Sequence, residues 1–396
     1  MARRLLKEFP STEPVNPERD KLLALAYRTG DSTSNAEDRI LDKHIEDFCN
    51  AALAKGDDSD IEAALAVLKS EEGTNYDDLL SIAEGCAEFY RDKNGAHLLV
   101  LVPVLAWSRY GIAFGKMPEV IAKSIADLYK TYFAGVDARV TVGNTLISAE
   151  HIPERLVAVR HLLTVLSKPK THGAVVDTSF LLTASPADEF SDARYVPLAV
   201  TAPNEAMLFT PAEKDRISRA RDFMDFALKA REVLRCFTVG SFIEVQFPSA
   251  FFSAWRQAAV AERLFSLKAL VSYVCVGKTT PEDLVATTAI FSIVSEGASR
   301  ETQPEVRIGI SLSWAPEKII AGIVWPCDPN ELEIAQSFAG EVLTMQGVPT
   351  VVAHSQLFPM EWCEQCGAPL YANPDGLVIH AERPDSPRGD FTPTLN

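Results

Sequence analysis

The sequence predicts an α/β (α+β) protein with an N-terminal helical region, two mixed-sheet α/β modules and a short C-terminal cysteine knuckle. Three observations predict this architecture. Apolar residues follow a helical period up to about residue 93. A continuous apolar run then begins at residue 98, and strand-like and helix-like segments alternate after it. Near the end, two residues separate Cys363 from Cys366, and Gly367 follows at once.

Composition and charge exclude several classes of protein. The 396 residues are 47% hydrophobic, enough for two or three domains at roughly 150 residues each. The net charge of −16 disfavours binding to nucleic acid or to an anionic membrane surface, because the protein would repel phosphate groups. No apolar run approaches the ~20 residues of a membrane span, and no apolar segment follows the basic N-terminus. We therefore expect a cytoplasmic protein without a membrane span.

Cysteine usage agrees with a reducing compartment. The chain has seven cysteines, and five of them occur singly in apolar surroundings, where reduced and buried thiols are expected: Cys49, Cys86, Cys236, Cys275 and Cys327.

The first two segments are an arm and a helical region. Residues 1–16 contain two prolines and little periodicity, so we expect a mobile arm. Residues 17–95 carry several apolar stripes of helical period. Polar clusters at 31–35 and 56–60 separate the stripes and are rich in residues that cap helix N-termini. About four short helices are predicted.

Residues 96–205 form the first predicted α/β module. Its apolar run at 98–107 is typical of a strand that is buried on both faces. The module continues with a helix that begins at Pro118 and runs to about 133, a strand at 139–147, a helix at 154–166 and strands at 175–183 and 195–201.

Residues 206–358 comprise a linking helix and the second predicted module. The charged amphipathic segment 210–235 predicts the linking helix. After it we expect a strand at 237–247, a helix at 250–276, a strand at 287–294, a hairpin at 305–312 and 318–325, a helix at 330–346 and a strand at 350–354.

A weak internal repeat relates the two modules. Residues 121–126 align with residues 334–339, and an apolar strand that ends at Trp107 or Trp325 precedes each copy. The match indicates either a duplication or a chance similarity between two amphipathic helices of like composition.

The C-terminal knuckle, residues 359–384, carries the predicted metal site. Cys363 and Cys366 supply half of the ligands that a structural zinc ion needs. The turn at 373–376 should return the chain as an antiparallel strand and bring His380 near the thiols, and His354 is the candidate for the fourth ligand. The alternative is a reduced dithiol without metal. Residues 385–396 are expected to be disordered.

Other catalytic signatures are weak or absent. The sequence has no Gly-x-Ser-x-Gly elbow, P-loop, dinucleotide-binding glycine run or His-Glu-x-x-His motif. His151 between Glu150 and Glu154 could act in acid–base chemistry, but acidic residues near a helix N-terminus explain the pattern more simply. Arg109, just after the buried strand, could hold an anion or anchor its loop.

Two segments carry a resemblance to a known family. They are residues 103–110, Pro-Val-Leu-Ala-Trp-Ser-Arg-Tyr, and residues 363–370, Cys-Glu-Gln-Cys-Gly-Ala-Pro-Leu, together with the turn 373–376 and His380. The chain resembles, over nearly its full length, an uncharacterised family of soluble β-proteobacterial proteins, a domain of unknown function of the DUF2863 type. This resemblance implies no activity, substrate or catalytic residue. The cysteine segment also resembles one arm of a zinc ribbon, whose second Cys-x-x-Cys is absent.

Three functions follow from these observations as hypotheses. The first is a non-enzymatic scaffold that binds a protein partner or forms a homo-oligomer, with zinc in a structural knuckle. The second is a zinc-dependent hydrolase with zinc at Cys363, Cys366 and His380 and with Glu361 as the base. The third is a thiol redox protein, which requires a reactive Cys363. The absence of a complete catalytic motif favours the first.

Overall fold

The computed structural model describes most of the chain. The described residues are 16–71, 74–107, 112–183, 191–209, 216–238, 242–275, 279–292, 303–365 and 367–381. The predicted disordered tail lies outside these ranges, as does the predicted mobile arm apart from Asn16. Within the described ranges, no helix is both long enough and apolar enough to cross a membrane.

Four helices form the N-terminal region, as the polar clusters predict. They are α1 (Pro17–Asp31), α2 (Asn35–Lys55), α3 (Ser59–Lys69) and α4 (Asn75–Glu88). The side chain of Asn16 accepts a hydrogen bond from the Arg19 N–H and caps α1. Gly56, with φ of 77°, ends α2 in the left-handed conformation that glycine adopts without strain.

The first sheet follows these helices and has nine strands within the described residues. Its long strands β2 and β7 pair antiparallel in register from Ala96 opposite Ala202 to Trp107 opposite Ser191. The strands are β1 (Phe89–Asp92), β2 (Gly95–Trp107), β3 (Gly115–Lys116), β4 (Arg139–Gly143), β5 (Thr145–Ser148), β6 (Val175–Val176), β7 (Ser191–Ala202), β8 (Phe242–Val245) and β9 (Ser249–Ala250). The main strand order is β1-β2-β7-β4-β6. The short strands β1, β9 and β8 pair one after another along the same edge of β2, opposite the edge that pairs with β7.

Helices cover both faces of this sheet. The helices are α5 (Glu119–Tyr132), α6 (Leu156–Ser167), α7 (Arg216–Arg235) and α8 (Phe251–Val274). Leu99, Leu101 and Leu105 of β2 belong to a core with α4, α6 and α8, whereas Val100 and Val102 belong to a core with α5 and α7. The alternation explains why β2 is apolar at every position from Leu98 to Trp107 and confirms the prediction of a strand buried on both faces.

Pro103 lies inside β2, where proline is normally excluded because it cannot donate a hydrogen bond. Its carbonyl oxygen accepts a bond from the Gln246 N–H, so residue 103 faces the β8 and β9 side of the strand. On that side β9 pairs with Val100 and Leu101, and β8 begins to pair at Val104. The missing N–H therefore falls in the gap between two short strands.

The second sheet has four strands in the order β12-β11-β10-β13. They are β10 (Leu284–Ser292), β11 (Glu305–Leu312), β12 (Ala321–Pro326) and β13 (Thr350–Pro359), and α9 (Leu332–Met345) connects the last two. β13 runs parallel to β10, and the other pairs are antiparallel. One face packs on α8 and α9, and the C-terminal hairpin of β14 (Leu370–Ala372) and β15 (Val378–His380) packs on the other.

The structure differs from the sequence-based expectations in several short segments. The predicted strand at 175–183 is a two-residue strand followed by a 3-10 turn, because the Thr178 N–H donates to the side chain of Asn144 instead of extending a ladder. The predicted strand at 139–147 divides at that same Asn144, whose carbonyl accepts from the Met117 N–H. Cys236 is exposed, although the other four single cysteines are buried or half-buried as expected.

The two regions related by the weak internal repeat have similar element orders but different sheet positions. In the first region α5 follows β2 and the two-residue β3 and leads to β4, and in the second α9 follows β12 and leads to β13. One strand separates β2 from β4 in the first sheet, whereas two separate β12 from β13 in the second. Duplication stays a prediction.

Candidate functional site

The knuckle begins with a tight turn after β13. The Gly367 N–H donates to the Cys363 carbonyl at 2.8 Å, and the Cys363 N–H donates to the Ala368 carbonyl at 2.8 Å. Gly367 has φ of 72°, which a side chain would oppose. Cys363 is half-buried, and Cys366 lies outside the described residues. The described backbone therefore forms a closed turn that depends on the glycine at position 367.

The hairpin after the turn confirms the predicted antiparallel return. Leu370 pairs with His380, and Ala372 pairs with Val378. The Asn373 side-chain oxygen accepts bonds from the N–H groups of Asp375 at 3.0 Å and Leu377 at 2.9 Å. These two bonds close the Asn-Pro-Asp-Gly turn.

Arg307 on β11 anchors the knuckle to the second sheet. Its guanidinium is fully buried, and Nη1 donates to the carbonyls of Glu361 and Leu370, both at 2.7 Å. Nε donates to the Glu305 carboxylate at 2.8 Å. The guanidinium carbon lies 4.4 Å from the ring centroid of Phe291 and 5.4 Å from that of Trp362. Arg307 therefore holds the chain on both sides of the turn.

The hairpin packs closely against β10 and β12 of the second sheet. A Cβ added at Gly322 would lie 2.3 Å from a ring carbon of Tyr371, so glycine makes room for that ring. Burial raises the pKa of Tyr371 to about 12. The Thr287 hydroxyl donates to the Ala372 carbonyl at 2.6 Å.

The two predicted histidine ligands lie at opposite ends of the hairpin. His380 pairs with Leu370 at the open end of the hairpin, next to the cysteine turn. His354 on β13 bonds through Nε2 to the Asn373 carbonyl at 2.8 Å, at the turn end. In the ranges that the structure describes, no three His, Cys, Asp or Glu side chains are grouped to hold one metal ion, and Cys366 is outside those ranges. His354 therefore lies at the end of the hairpin away from His380.

The weaker candidates have structural surroundings or lie outside the description. His151 is buried, accepts a hydrogen bond from the Ser148 N–H and stacks on Phe114 at 5.9 Å. These contacts fix the chain entering α6. Arg109 lies outside the described residues. Glu361, the base in the hydrolase hypothesis, is exposed, and its carbonyl oxygen is bound by Arg307.

Sequence reasoning missed three buried arginines, Arg160, Arg194 and Arg307. Each is a charged residue inside a mostly apolar helix or strand, which is the signal that could have identified it. It also missed that β13 continues to Pro359 and forms an edge of the second sheet.

Comparisons with known proteins identify the family but not an activity. No curated protein and no solved structure matches the chain. A family model described as a protein of unknown function, DUF2863, matches residues 9–391. The chain therefore belongs to the DUF2863 family of proteins of unknown function.

Proposed function

We propose that the protein is a non-enzymatic scaffold that self-assembles through β13, with the neighbouring knuckle stabilised by zinc. The observation that carries the proposal is the edge position of β13. Among the described strands it pairs only with β10, which leaves its other edge without a ladder. Unpaired strand edges bind other strands readily.

The composition of β13 lacks the usual protection against edge pairing. Its ten residues, Thr350–Pro359, include no Asp, Glu, Lys or Arg, and its proline is the last residue. Natural edge strands usually carry charges or internal prolines that prevent pairing with another chain. One irregularity occurs where the register with β10 shifts between Thr288 and Ile290. Leu357, beyond this shift, exposes 64% of its surface.

A second copy of the chain is the partner that this edge fits best. Two β13 strands related by a two-fold axis run antiparallel and present the same residues to each other. Their pairing joins two four-stranded sheets into one continuous sheet. The apolar Leu357 side chains then become buried, and the unpaired backbone groups gain partners.

Oligomeric mass tests the assembly through β13. We expect wild-type protein to have the mass of two chains in light scattering. Leu357→Lys should weaken dimerisation at least tenfold, because a charge on the edge must lose its water on pairing. Val260→Lys on α8, where valine is 69% exposed, is the matched control and should leave the dimer intact. A monomeric wild-type protein, or a Leu357→Lys dimer of unchanged affinity, would contradict the proposal.

The backbone contacts of the knuckle favour a structural rather than a catalytic role for the proposed zinc ion. The turn bonds around Cys363 and the two carbonyl bonds from Arg307 hold the backbone in place on either side of the cysteines. Zinc bound by Cys363, Cys366 and His380 would cross-link the turn to β15. A structural site of this kind stabilises the fold directly.

Metal content tests the zinc site. We expect about one zinc ion per chain in protein purified without chelator. Cys363→Ser and His380→Ala should lose this zinc. His354→Ala should keep it, since His354 lies at the other end of the hairpin, and Cys275→Ser serves as the thiol control. Wild-type protein without zinc, or zinc retained in Cys363→Ser, would refute the site without affecting the assembly through β13.

A further inference from the structure

A cavity of about 880 Å³ lies between the helical region and the first sheet, far along the chain from the knuckle. Residues of α2, α4, β1 and α6 line it. Its wall is mixed: Leu53 and Ile82 contribute apolar surface, and Tyr90 contributes a ring. Arg160 also lines the cavity, although only 8% of its surface is exposed to solvent.

Arg160 is a buried cation without a carboxylate partner among the described residues. Its Nη2 donates to the Asn50 side-chain oxygen at 2.5 Å, and its guanidinium carbon lies 4.6 Å from the Tyr90 ring centroid. Its Nε is buried and has no hydrogen-bond partner in the described part of the chain. Burial lowers the pKa of Arg160, but a guanidinium stays charged in proteins. The fold therefore leaves a desolvated positive charge only partly compensated.

The other cations of the cavity wall have acidic partners. Lys43 pairs with Asp47 at 2.9 Å, and Arg91 pairs with Glu205. Of the described cations that line the cavity, Arg160 alone lacks such a pair.

The acidic groups of the wall do not neutralise Arg160 either. Glu46 pairs with Lys43 at 3.5 Å, and Asp92 is bonded to His97 at 3.0 Å. Glu88 accepts a hydrogen bond from the Phe252 N–H at 2.9 Å, and burial raises its pKa to about 7, so this carboxyl is partly protonated near neutral pH. The cavity thus combines one positive charge that has no carboxylate partner with acidic groups on the same wall.

We propose that this cavity binds a small monocarboxylate, with its carboxylate on Arg160 and its apolar part against Leu53 and Ile82. An arginine presents five N–H donors in a planar fork that matches a carboxylate, and Asn50 accepts from only one of its nitrogens. The acidic residues of the wall would repel a second negative charge, so a phosphate dianion fits less well. The apolar wall favours an organic acid over an inorganic ion.

Asn50 offers a way to test the proposal inside the protein. Its side-chain oxygen already contacts Arg160, so Asn50→Asp places a carboxylate against the guanidinium with little change in shape. This variant supplies the missing counter-ion and should compete with an external carboxylate. Arg160→Met removes the charge and keeps an unbranched side chain of similar length.

The experiment is calorimetric titration of the full chain with sodium benzoate at constant ionic strength. We expect saturable binding by about 20 mM, a concentration that fills a site of millimolar Kd. Both Asn50→Asp and Arg160→Met should weaken binding at least tenfold, and Asn50→Asp remains informative if Arg160→Met does not fold. Arg91→Met, which removes a cavity cation that has an acidic partner, should change the benzoate Kd less than about twofold.

Three results would overturn the proposal. The first is no heat of binding for benzoate in wild-type protein, which would assign Arg160 a structural role through Tyr90 and Asn50 only. The second is equal binding of uncharged benzamide, which would make the site apolar rather than anion-selective. The third is tighter binding of inorganic phosphate than of benzoate, which would exclude monocarboxylates as the ligand class.

Discussion

Arg307 and Arg160 are both buried, but their guanidinium groups have different partners. Arg307 bonds to the Glu305 carboxylate and to two backbone carbonyls, so its charge is compensated and its donors are used. Arg160 bonds to a neutral amide and stacks on a ring. A buried charge is costly unless it is paired. The knuckle explains the presence of Arg307, whereas the fold alone does not explain Arg160.

Glu88 predicts a pH dependence of stability. Burial raises its folded pKa from 4.5 to about 7, so the folded state holds this proton more tightly than the unfolded chain. This contribution to the free energy of unfolding is complete below pH 4.5 and is lost as the pH rises through 7. Glu88→Gln keeps an acceptor for the Phe252 N–H but has no charge. It should be more stable than wild type above pH 7, by on the order of 1–3 kcal/mol.

Urea unfolding at several pH values between 5 and 8 measures this effect. The difference in free energy of unfolding between Glu88→Gln and wild type should grow with pH. Glu364→Gln, on the exposed surface of the knuckle, is the control and should show no such trend. A difference that stays constant over the whole pH range would mean that Glu88 does not bind the proton as inferred.

At the scale of elements, long apolar segments were predictable and short paired ones were not. β2 was predicted from its continuous apolar run and α5 from a helix start at Pro118, because each signal lies within the element itself. The two-residue strands β6 and β9 contain no period, and they exist because distant strands offer hydrogen-bonding partners. The strand predicted at 175–183 is longer than the observed β6, because local strand propensity does not include the hydrogen bond from the Thr178 N–H to the Asn144 side chain.

The candidate sites divide in the same way. The knuckle turn and hairpin return were predictable because Gly367 and the Asn-Pro-Asp-Gly turn act locally. The anchor at Arg307 and the cavity at Arg160 depend on contacts between distant segments, and Arg160 bonds to a residue 110 positions earlier. No local pattern encodes such contacts. The only sequence signal is a charged residue where an apolar one is expected.

At the scale of the whole molecule, α8 connects the two cores. Phe251 and Phe252 at its start belong to the core of the first sheet, whereas Leu267 and Leu270 near its end belong to the core of the second. The Trp325 indole N–H on β12 donates to the Ser266 hydroxyl of the same helix at 3.3 Å. A rigid helix shared by both cores should couple their unfolding.

Leu267→Ala tests this coupling. Leu267 is fully buried, and its truncation should lower the free energy of unfolding by about 2–5 kcal/mol. In single-tryptophan variants that keep either Trp107 in the first core or Trp325 in the second, both fluorescence midpoints should shift to lower urea by the same amount. Val260→Ala on the exposed side of the same helix should leave both midpoints unchanged. If only the Trp325 midpoint moves, the two sheets unfold independently and α8 is a tether, because a perturbation that stays in one core is not transmitted through the shared helix.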